Sequence, residues 1–431
     1  MTQGEDIDGF FTTARTSGRD EAVTLETEDF RDYLYPLDSE ELAPWRDMTY
    51  ERFTAERRGH PFLEQLLEDW DALYEAPFVG VTSDGVPREG LYPLPEGCSN
   101  DAGTVAAART LLDALNRSQR ERILLPIDAP DWRGWSNPEF VFHRHGIRLE
   151  DMAQRQLDAF FVLLDASLSA DGAARVREGM ALNGYLGELT GLPNVLNSRS
   201  FALTIFGEPS TETPWGWQLF GHHVCVNFVA VGGREVVAPV FLGGEPALTD
   251  TRPPLFDARE RLALELASSL TAEQREKAVV YDSVLDPSMP EGRLHPADER
   301  HLAGAFHDNW VIPYEGVRAS ELDERQRGIL RAIVEDFHLL LRDEQRAMTM
   351  AEYDAHLDET YFAWYGATDG SQPVYFRIQS PVLVAELDNH AGVWLANKLP
   401  ARFHVHTTLR LPNGNDYGKA YLAQWRESRG E

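Results

Sequence analysis

An α+β fold, with a mixed or antiparallel sheet formed by strands near 201–241 and 372–411 and packed with helices from 100–192 and 255–345, follows from three observations. Two blocks are dense in β-branched and aromatic residues, the mark of strands. The stretches around them carry Ala and Leu at helical spacing. About 130 mostly helical residues separate the blocks, so a sheet drawing on both unites distant sequence in one α+β unit.

Taken in order, residues 1–99 form an acidic, proline-punctuated N-terminal extension packed on the core. Its one clear helix lies near Pro61–Tyr74, where Phe62, Leu63, Leu66, Leu67, Trp70 and Leu73 are spaced for a buried face. Residues 100–425 then read as a single α+β domain. Thr104–Leu115, Gln154–Leu168 and Ala173–Leu189 are helices. A short phrase recurs at Leu115–Arg120, Leu270–Arg275 and Leu322–Arg327, with a looser copy ending at Gln154-Arg155, each time before an apolar run. A Thr271 or Asp323 cap with a Gln three residues on would satisfy orphaned N–H groups, so the phrases mark helix starts. The first strand block runs Phe201–Phe206, Trp215–Val231 and Val236–Phe241, with a hairpin at Gly232-Gly233. The second runs Val374–Ile378, Val382–Leu387 and Arg402–Leu411, closed by the turn Asn413-Gly414.

Composition excludes several function classes. Forty basic against seventy acidic residues in 431 give a net charge of −30, which repels a phosphate backbone or an anionic membrane surface. The partner expected is a small-molecule substrate, with no nucleic acid and no membrane. Only three lysines occur, Lys277, Lys398 and Lys419, an imbalance that genomic base composition accounts for. Hydrophobic residues make up 43% and include ten tryptophans, enough for a large core. The two cysteines, Cys98 and Cys225, stand in no zinc-type spacing and support no disulfide framework. An acidic N-terminus and the lack of an apolar run of about 18 residues give cytoplasmic as the expected location. Nucleotide-binding glycine loops, the GxSxG elbow and HExxH are all absent.

Chemistry concentrates in two places. Along Trp215–Phe228, strand alternation puts His222, Val224, Val226 and Phe228 on one face and His223, Cys225 and Asn227 on the other. Near the C-terminus, Glu386 and Asp388 are two residues apart, as are His404 and His406, so each pair projects from one strand face. Two imidazoles two apart on a strand can converge on one divalent ion, and a carboxylate would complete a two-His, one-carboxylate triad. His143-Arg-His145 is a weaker pair beside Gly146, and Cys225 with His223 a weak nucleophile and base.

Phe206-Gly-Glu-Pro-Ser210, Trp215-Gly-Trp217, Gly221-His-His223, Asn227-Phe228, Phe241-Leu-Gly243, Tyr375–Gln379, Glu386-Leu-Asp388-Asn389, His404-Val-His406 and Asp416-Tyr-Gly418 together resemble the bacterial and fungal domain-of-unknown-function family 3500. The resemblance covers about residues 100 to 425. It implies a pattern and no catalytic role, and its matched polar positions are His222, His223, Glu386, Asp388, His404 and His406. Between Asn389 and Arg402 the chain departs from that pattern, with an insertion carrying His390 and Trp394.

The expected function is a metal-dependent enzyme acting on a small, anionic organic substrate by hydrolysis or lyase chemistry through metal-activated water. His223, His404 and His406 would hold a divalent ion, zinc or ferrous iron first and copper third, with Glu386, Asp388 and His222 catalytic. Arg377, Trp215, Trp217, Asn227 and Trp364 would bind substrate, the tryptophans as pocket walls and Arg377 as anion clamp, its rival role an ion pair with Glu386 or Asp388. A non-haem iron or copper oxidoreductase at the same site, or a small-anion binding protein without turnover, are the alternatives.

Overall fold

A computed structural model describes residues 29–140, 145–295 and 297–430, the side chain of Phe62 excepted. His143 therefore lies outside the described residues. The N-terminal portion contributes α1 (Tyr50–Arg58), capped by the Thr49 hydroxyl accepting from Arg52 N, and α2 (Pro61–Glu75), which starts on the proline that needs no N–H partner. Leu63, Leu66, Leu67 and Trp70 of α2 are buried, and Trp70 stacks on Phe306 at 4.9 Å. These residues join the main core.

The rest of the chain runs through one series of elements twice. The first series is α3 (Ala102–Ala114), α4 (Arg117–Ile123), β1 (Leu124–Leu125), β2 (Ile147–Arg148), α5 (Gln154–Ser167), α6 (Ala170–Thr190), β3 (Phe201–Phe206), β4 (Trp215–Gly221), β5 (Val224–Val231) and β6 (Arg234–Gly244). The second is α7 (Asp257–Ser269), α8 (Ala272–Ala278), β7 (Val279–Tyr281), β8 (Val317–Arg318), α9 (Glu324–Phe337), α10 (Asp343–Ala355), β9 (Tyr361–Tyr365), β10 (Tyr375–Ser380), β11 (Leu383–Asn389) and β12 (Val405–Arg410). α11 (Lys419–Glu427) follows.

Pairing confirms the repeat. Among the described residues the strands form one sheet of twelve, ordered β1-β3-β4-β5-β6-β12-β11-β10-β9-β7, with β2 added to β3 and β8 to β9. Each half has one parallel pair, β1 with β3 and β7 with β9, and is otherwise antiparallel. The halves meet along the antiparallel β6–β12 pair, with Val240 opposite Leu409. The fold is thus the α+β arrangement expected, with both strand blocks in one sheet.

The recurring phrase marks helix starts, and the four starts fall at equivalent places. Asn116 and Gln119 box the start of α4 as Thr271 and Gln274 box that of α8. Gln156 accepts from Ala153 N at α5 as Gln326 accepts from Asp323 N at α9.

The two sheet faces differ sharply. Val224, Val226 and Phe228 face the helices: a Cβ on Gly179 of α6 would stand 2.9 Å from Val224 Cγ2, and Phe376 meets Phe337 of α9 at 6.3 Å. The opposite face carries Gln218, Cys225, Asn227, Tyr375, Arg377, Glu386, Asp388, His406, Thr408 and Arg410, all buried. Connections cover it. The Trp132 carbonyl in the 126–146 connection accepts from Gln218 Nε2, and Leu302 and Ala303 N–H in the 282–316 connection donate to Glu386. Loop backbone thus supplies partners to buried polar groups of this face.

Two strand boundaries differ from expectation. Trp215–Val231 is two strands, because His222 and His223 form the tight turn between paired Gly221 and Val224. β9 lies outside the expected strand blocks. The Gly232-Gly233 hairpin is present, both glycines at positive φ (55° and 80°), the backbone that joins Val231 to Arg234 and that only glycine adopts without strain.

Candidate metal centre

Three imidazoles from two distant turns converge at the junction of the halves. His406 is the second residue of β12 and His404 precedes the strand, so alternation aims both rings the same way, and their Nε2 atoms lie 3.1 Å apart. His223 reaches them from the β4–β5 turn, its Nε2 3.0 Å from His406 Nε2. That residue holds φ at 63°, a conformation costly for a side-chain-bearing residue and one concentrated at functional sites. Its backbone is fixed by donation to Asn137 Oδ1 and by acceptance from Gly243 N. Gly243 in turn leaves room for the rings: a Cβ there would stand 2.9 Å from both His223 Cδ2 and His406 Cδ2. The ligating atoms of His223, His404 and His406 all lie within 4.8 Å of one another, close enough to hold one ion.

The electrical state suits ligation. Burial pulls the His404 pKa down to about 4, and pulls those of His223 and His406 well below the usual imidazole range, with neighbouring imidazoles adding to the effect. Neutral rings offer a lone pair. His404 Nδ1 donates to the Ala391 carbonyl at 2.7 Å, which leaves its Nε2 unprotonated and pointed at the other two. Glu245, whose carboxyl burial pushes up, stands 4.0 Å from His404 Nδ1 and gathers the N–H groups of Val393, Trp394 and Leu395 on its Oε1. That carboxylate therefore shapes the loop carrying Ala391.

The expected carboxylates sit nearby but are engaged. Glu386 accepts from Leu302 N and Ala303 N at 3.0 and 2.9 Å and from Tyr375 Oη at 2.6 Å. Asp388 Oδ1 accepts from fully buried Arg300 Nε at 2.6 Å, and its Oδ2 lies 3.1 Å from His390 Nε2. His390 is the group that lies over the centre, its ring centroid 3.8 Å from that of His406. Arg377 donates through Nη2 to Glu315 Oε2 and the Pro313 carbonyl, so its direct ion pair is with Glu315 rather than with Glu386 or Asp388.

The remaining expected residues are engaged with groups other than the point where the three rings converge. His222 pairs through Nδ1 with Asn183 Oδ1 of α6, its pKa lowered to about 3 by burial, and supports the His223 ring by stacking at 3.8 Å. Trp217 donates to Ser167 of α5, Trp215 shares its face, and Trp364 stacks on Phe376. All three tryptophans are on the helix-covered face and wall no pocket with the histidines, because two-residue spacing keeps Trp215 with Trp217 and strand register pairs Trp364 with Phe376. Asn227 is on the polar face, yet its amide is consumed by Gln218 and the Pro239 carbonyl. Burial raises the Cys225 thiol well above its usual range, which leaves it inert.

Sequence reading missed the 282–316 connection. It supplies Glu299, Arg300 and His301 beside Asp388 and His390, and His301 bonds through Nδ1 to Thr408. The available signal was three histidines at intervals of six, His295, His301 and His307, with Asp298 among them. Two further groups close enough to hold an ion result: His301, Asp388, His390 and His295, Asp298, His307. No helix among the described residues is long and apolar enough to cross a membrane.

The model of the family described as protein of unknown function (DUF3500) matches residues 99–419, and the chain belongs to that family. No curated protein and no solved structure matches it.

Proposed function

We propose, from a family membership that brings no activity with it, that the chain is a metal-dependent enzyme whose ion rests on His223, His404 and His406 and which acts on a small organic substrate by hydrolysis or lyase chemistry. The observation that carries this reading is the convergence of three buried, neutral imidazoles on one point, their Nε2 atoms 3.0 and 3.1 Å apart, with a carbonyl fixing the tautomer of His404. Nitrogen atoms 3.0 and 3.1 Å apart are close enough to share one cation. A divalent ion on three imidazoles with an open position lowers the pKa of bound water toward about 7 and polarises a carbonyl oxygen.

The chain's own part in proton transfer falls to His390. Its Nε2 stands 3.1 Å from Asp388 Oδ2, and Asp388 is itself held by Arg300, so a carboxylate paired with a guanidinium lies beside the imidazole. This dyad takes over the general-base role expected of Glu386 or Asp388 alone. Arg377 meets Glu315 through Nη2 while its Nη1 has no partner, so one side of the guanidinium is open to an anionic group.

One pair of distances favours a second reading. Donors at about 2.1 Å from a common ion stand about 3.4 Å apart in a tetrahedron and about 3.0 Å apart at a right angle. The two spacings to His406, 3.0 and 3.1 Å, are nearer the right-angle value, and an ion favouring that arrangement, such as ferrous iron, would support an oxidative reaction. Elemental analysis and X-ray absorption on tag-free protein decide between them. One equivalent of metal is expected to vanish in His404→Ala, His406→Ala, while His390→Asn keeps it and lowers turnover of an activated ester by about 100-fold. Unchanged metal content in the double variant would sink both readings.

A further inference from the structure

We infer that His295, Asp298 and His307 form a second cation site, which takes a divalent transition ion such as zinc on two imidazoles and one carboxylate and fastens the 282–316 connection over the sheet. It shares no residue with the centre at His223, His404 and His406 and does not depend on that reading. The ligating atoms of the three side chains lie within 4.8 Å of one another. Two of the donors are buried and otherwise unpartnered: His307 Nε2, on a residue 0% exposed, and Asp298 Oδ2, on a residue 4% exposed. Buried polar atoms in native proteins almost always find partners, so two such atoms aimed into one space call for a ligand.

The tautomer agrees. His307 Nδ1 donates to the Leu302 carbonyl at 3.1 Å, leaving Nε2 with its lone pair, and the ring is held by stacking on Trp310 at 3.7 Å. His295 brings Nδ1, which accepts from Ala297 and Asp298 N–H at 3.2 and 3.1 Å, to 3.5 Å from Asp298 Oδ2, so its ring borders the same space. Gly304 leaves space for the carboxylate, since a Cβ there would lie 2.8 Å from Asp298 Oδ2. A carboxylate buried without a bonded cation is costly. The His295 side chain, 21% exposed, gives an ion its route from solvent.

Position explains what such an ion would do. His295 and Asp298 precede the run 299–303 and His307 follows it, and that run supplies Glu299, the Arg300 guanidinium, His301 and the two N–H groups on Glu386. Ligands on both flanks would clamp the run to the sheet.

The full chain bearing His404→Ala and His406→Ala, stripped with a chelator and titrated with Zn2+ alone, is expected to bind one equivalent. Adding Asp298→Asn and His307→Gln should abolish it. Zn2+ should slow trypsin cleavage within 282–316 at least about tenfold in the first variant and leave it unchanged in the second. No zinc bound by the first, or equal binding by both, overturns the inference. Should the histidine-to-alanine background not fold, the native chain against Asp298→Asn, His307→Gln decides: a drop of one equivalent supports the site and an unchanged count overturns it. Failure of the first centre shows separately, as a count unaltered by His404→Ala, His406→Ala.

Discussion

The two halves share a scaffold and differ in what they load onto it. Leu203 pairs with Ile147 and Leu219 in the first half as Phe362 pairs with Val317 and Ile378 in the second. That register makes the cross-strand pair Gln218–Asn227 the equivalent of Arg377–Glu386, Phe241 the equivalent of Arg410, and Val236 that of His406. Neutral amides and apolar side chains in one half are charged groups and a candidate ligand in the other. The connection over the polar face is unequal too, 282–316 against 126–146, about fourteen residues longer where the charges are. A repeated frame lets one half stay a neutral support while the other carries buried charge, provided an enlarged loop brings the partners that buried charge requires.

The sharpest way to break the comparison is at Arg410 and Phe241. Arg410 is fully buried, pairs with Asp308 and Asp416 and donates to the Ala303 and Gly304 carbonyls. Arg410→Met leaves Asp416 without its cation and should cost about 3–5 kcal/mol. Phe241→Met, the same residue at the equivalent point, changes shape only and should cost under about 1.5 kcal/mol. Urea unfolding of both variants measures the difference, and equal costs would mean that the charged half is no more dependent on its pairs than the neutral one.

This asymmetry also explains what the sequence revealed and what it hid. Alternation read from Cys225 and Asn227 found the polar face, and the two-residue spacing of His404 and His406 found their convergence, because both depend on strand geometry, whereas His223 reaches the site from a turn that alternation does not describe. Tryptophan placement needed the register between strands, which no local pattern carries. The second half's loop held its histidines at spacings of no regular element, so Arg300 on Asp388 and Asp298 beside His307 were out of reach. The repeat itself left only the helix-start phrases as a trace: Leu115 and Leu270 are 155 apart while Gln156 and Gln326 are 170 apart, since the unequal loop falls between them.

A pH test sharpens the contrast next. α5 and α9 end at equivalent C-caps, Leu168 in one half and His338 in the other. Burial, with the charges of Arg259, Arg234 and Arg346, lowers His338 to about 4. Above pH about 6.5 the ring is neutral both folded and unfolded, so it adds no pH dependence there. Between about 6.5 and 4 only the unfolded chain takes the proton, so stability falls as pH drops, by on the order of 3 kcal/mol across the window. His338→Leu installs the first half's residue and should remove that portion of the decline. Denaturation midpoints at pH 7 and pH 4.5 read it directly, and an unaltered gap between them would show the ring does not titrate with unfolding.

The smallest effect expected is the one in which the halves should agree. Gln156 Nε2 donates to the carbonyl of Ala114, the last residue of α3, and to Gln119 Oε1, at 3.1 and 2.8 Å. Gln326 Nε2 donates to the carbonyl of Ser269, the last residue of α7, and to Gln274 Oε1, at 2.9 and 3.0 Å. Each amide also accepts the backbone N–H that opens its own helix, so one side chain joins three helix ends. Both knots lie on the helices, away from the charged face that separates the halves. Gln156→Ala and Gln326→Ala should therefore cost the same, about 1–2 kcal/mol each, and add in the double variant because the knots share no partner. A cost at Gln326 well above that at Gln156 would mean the second half's helices bear on its buried charges, and the division between common scaffold and specialised face would have to move.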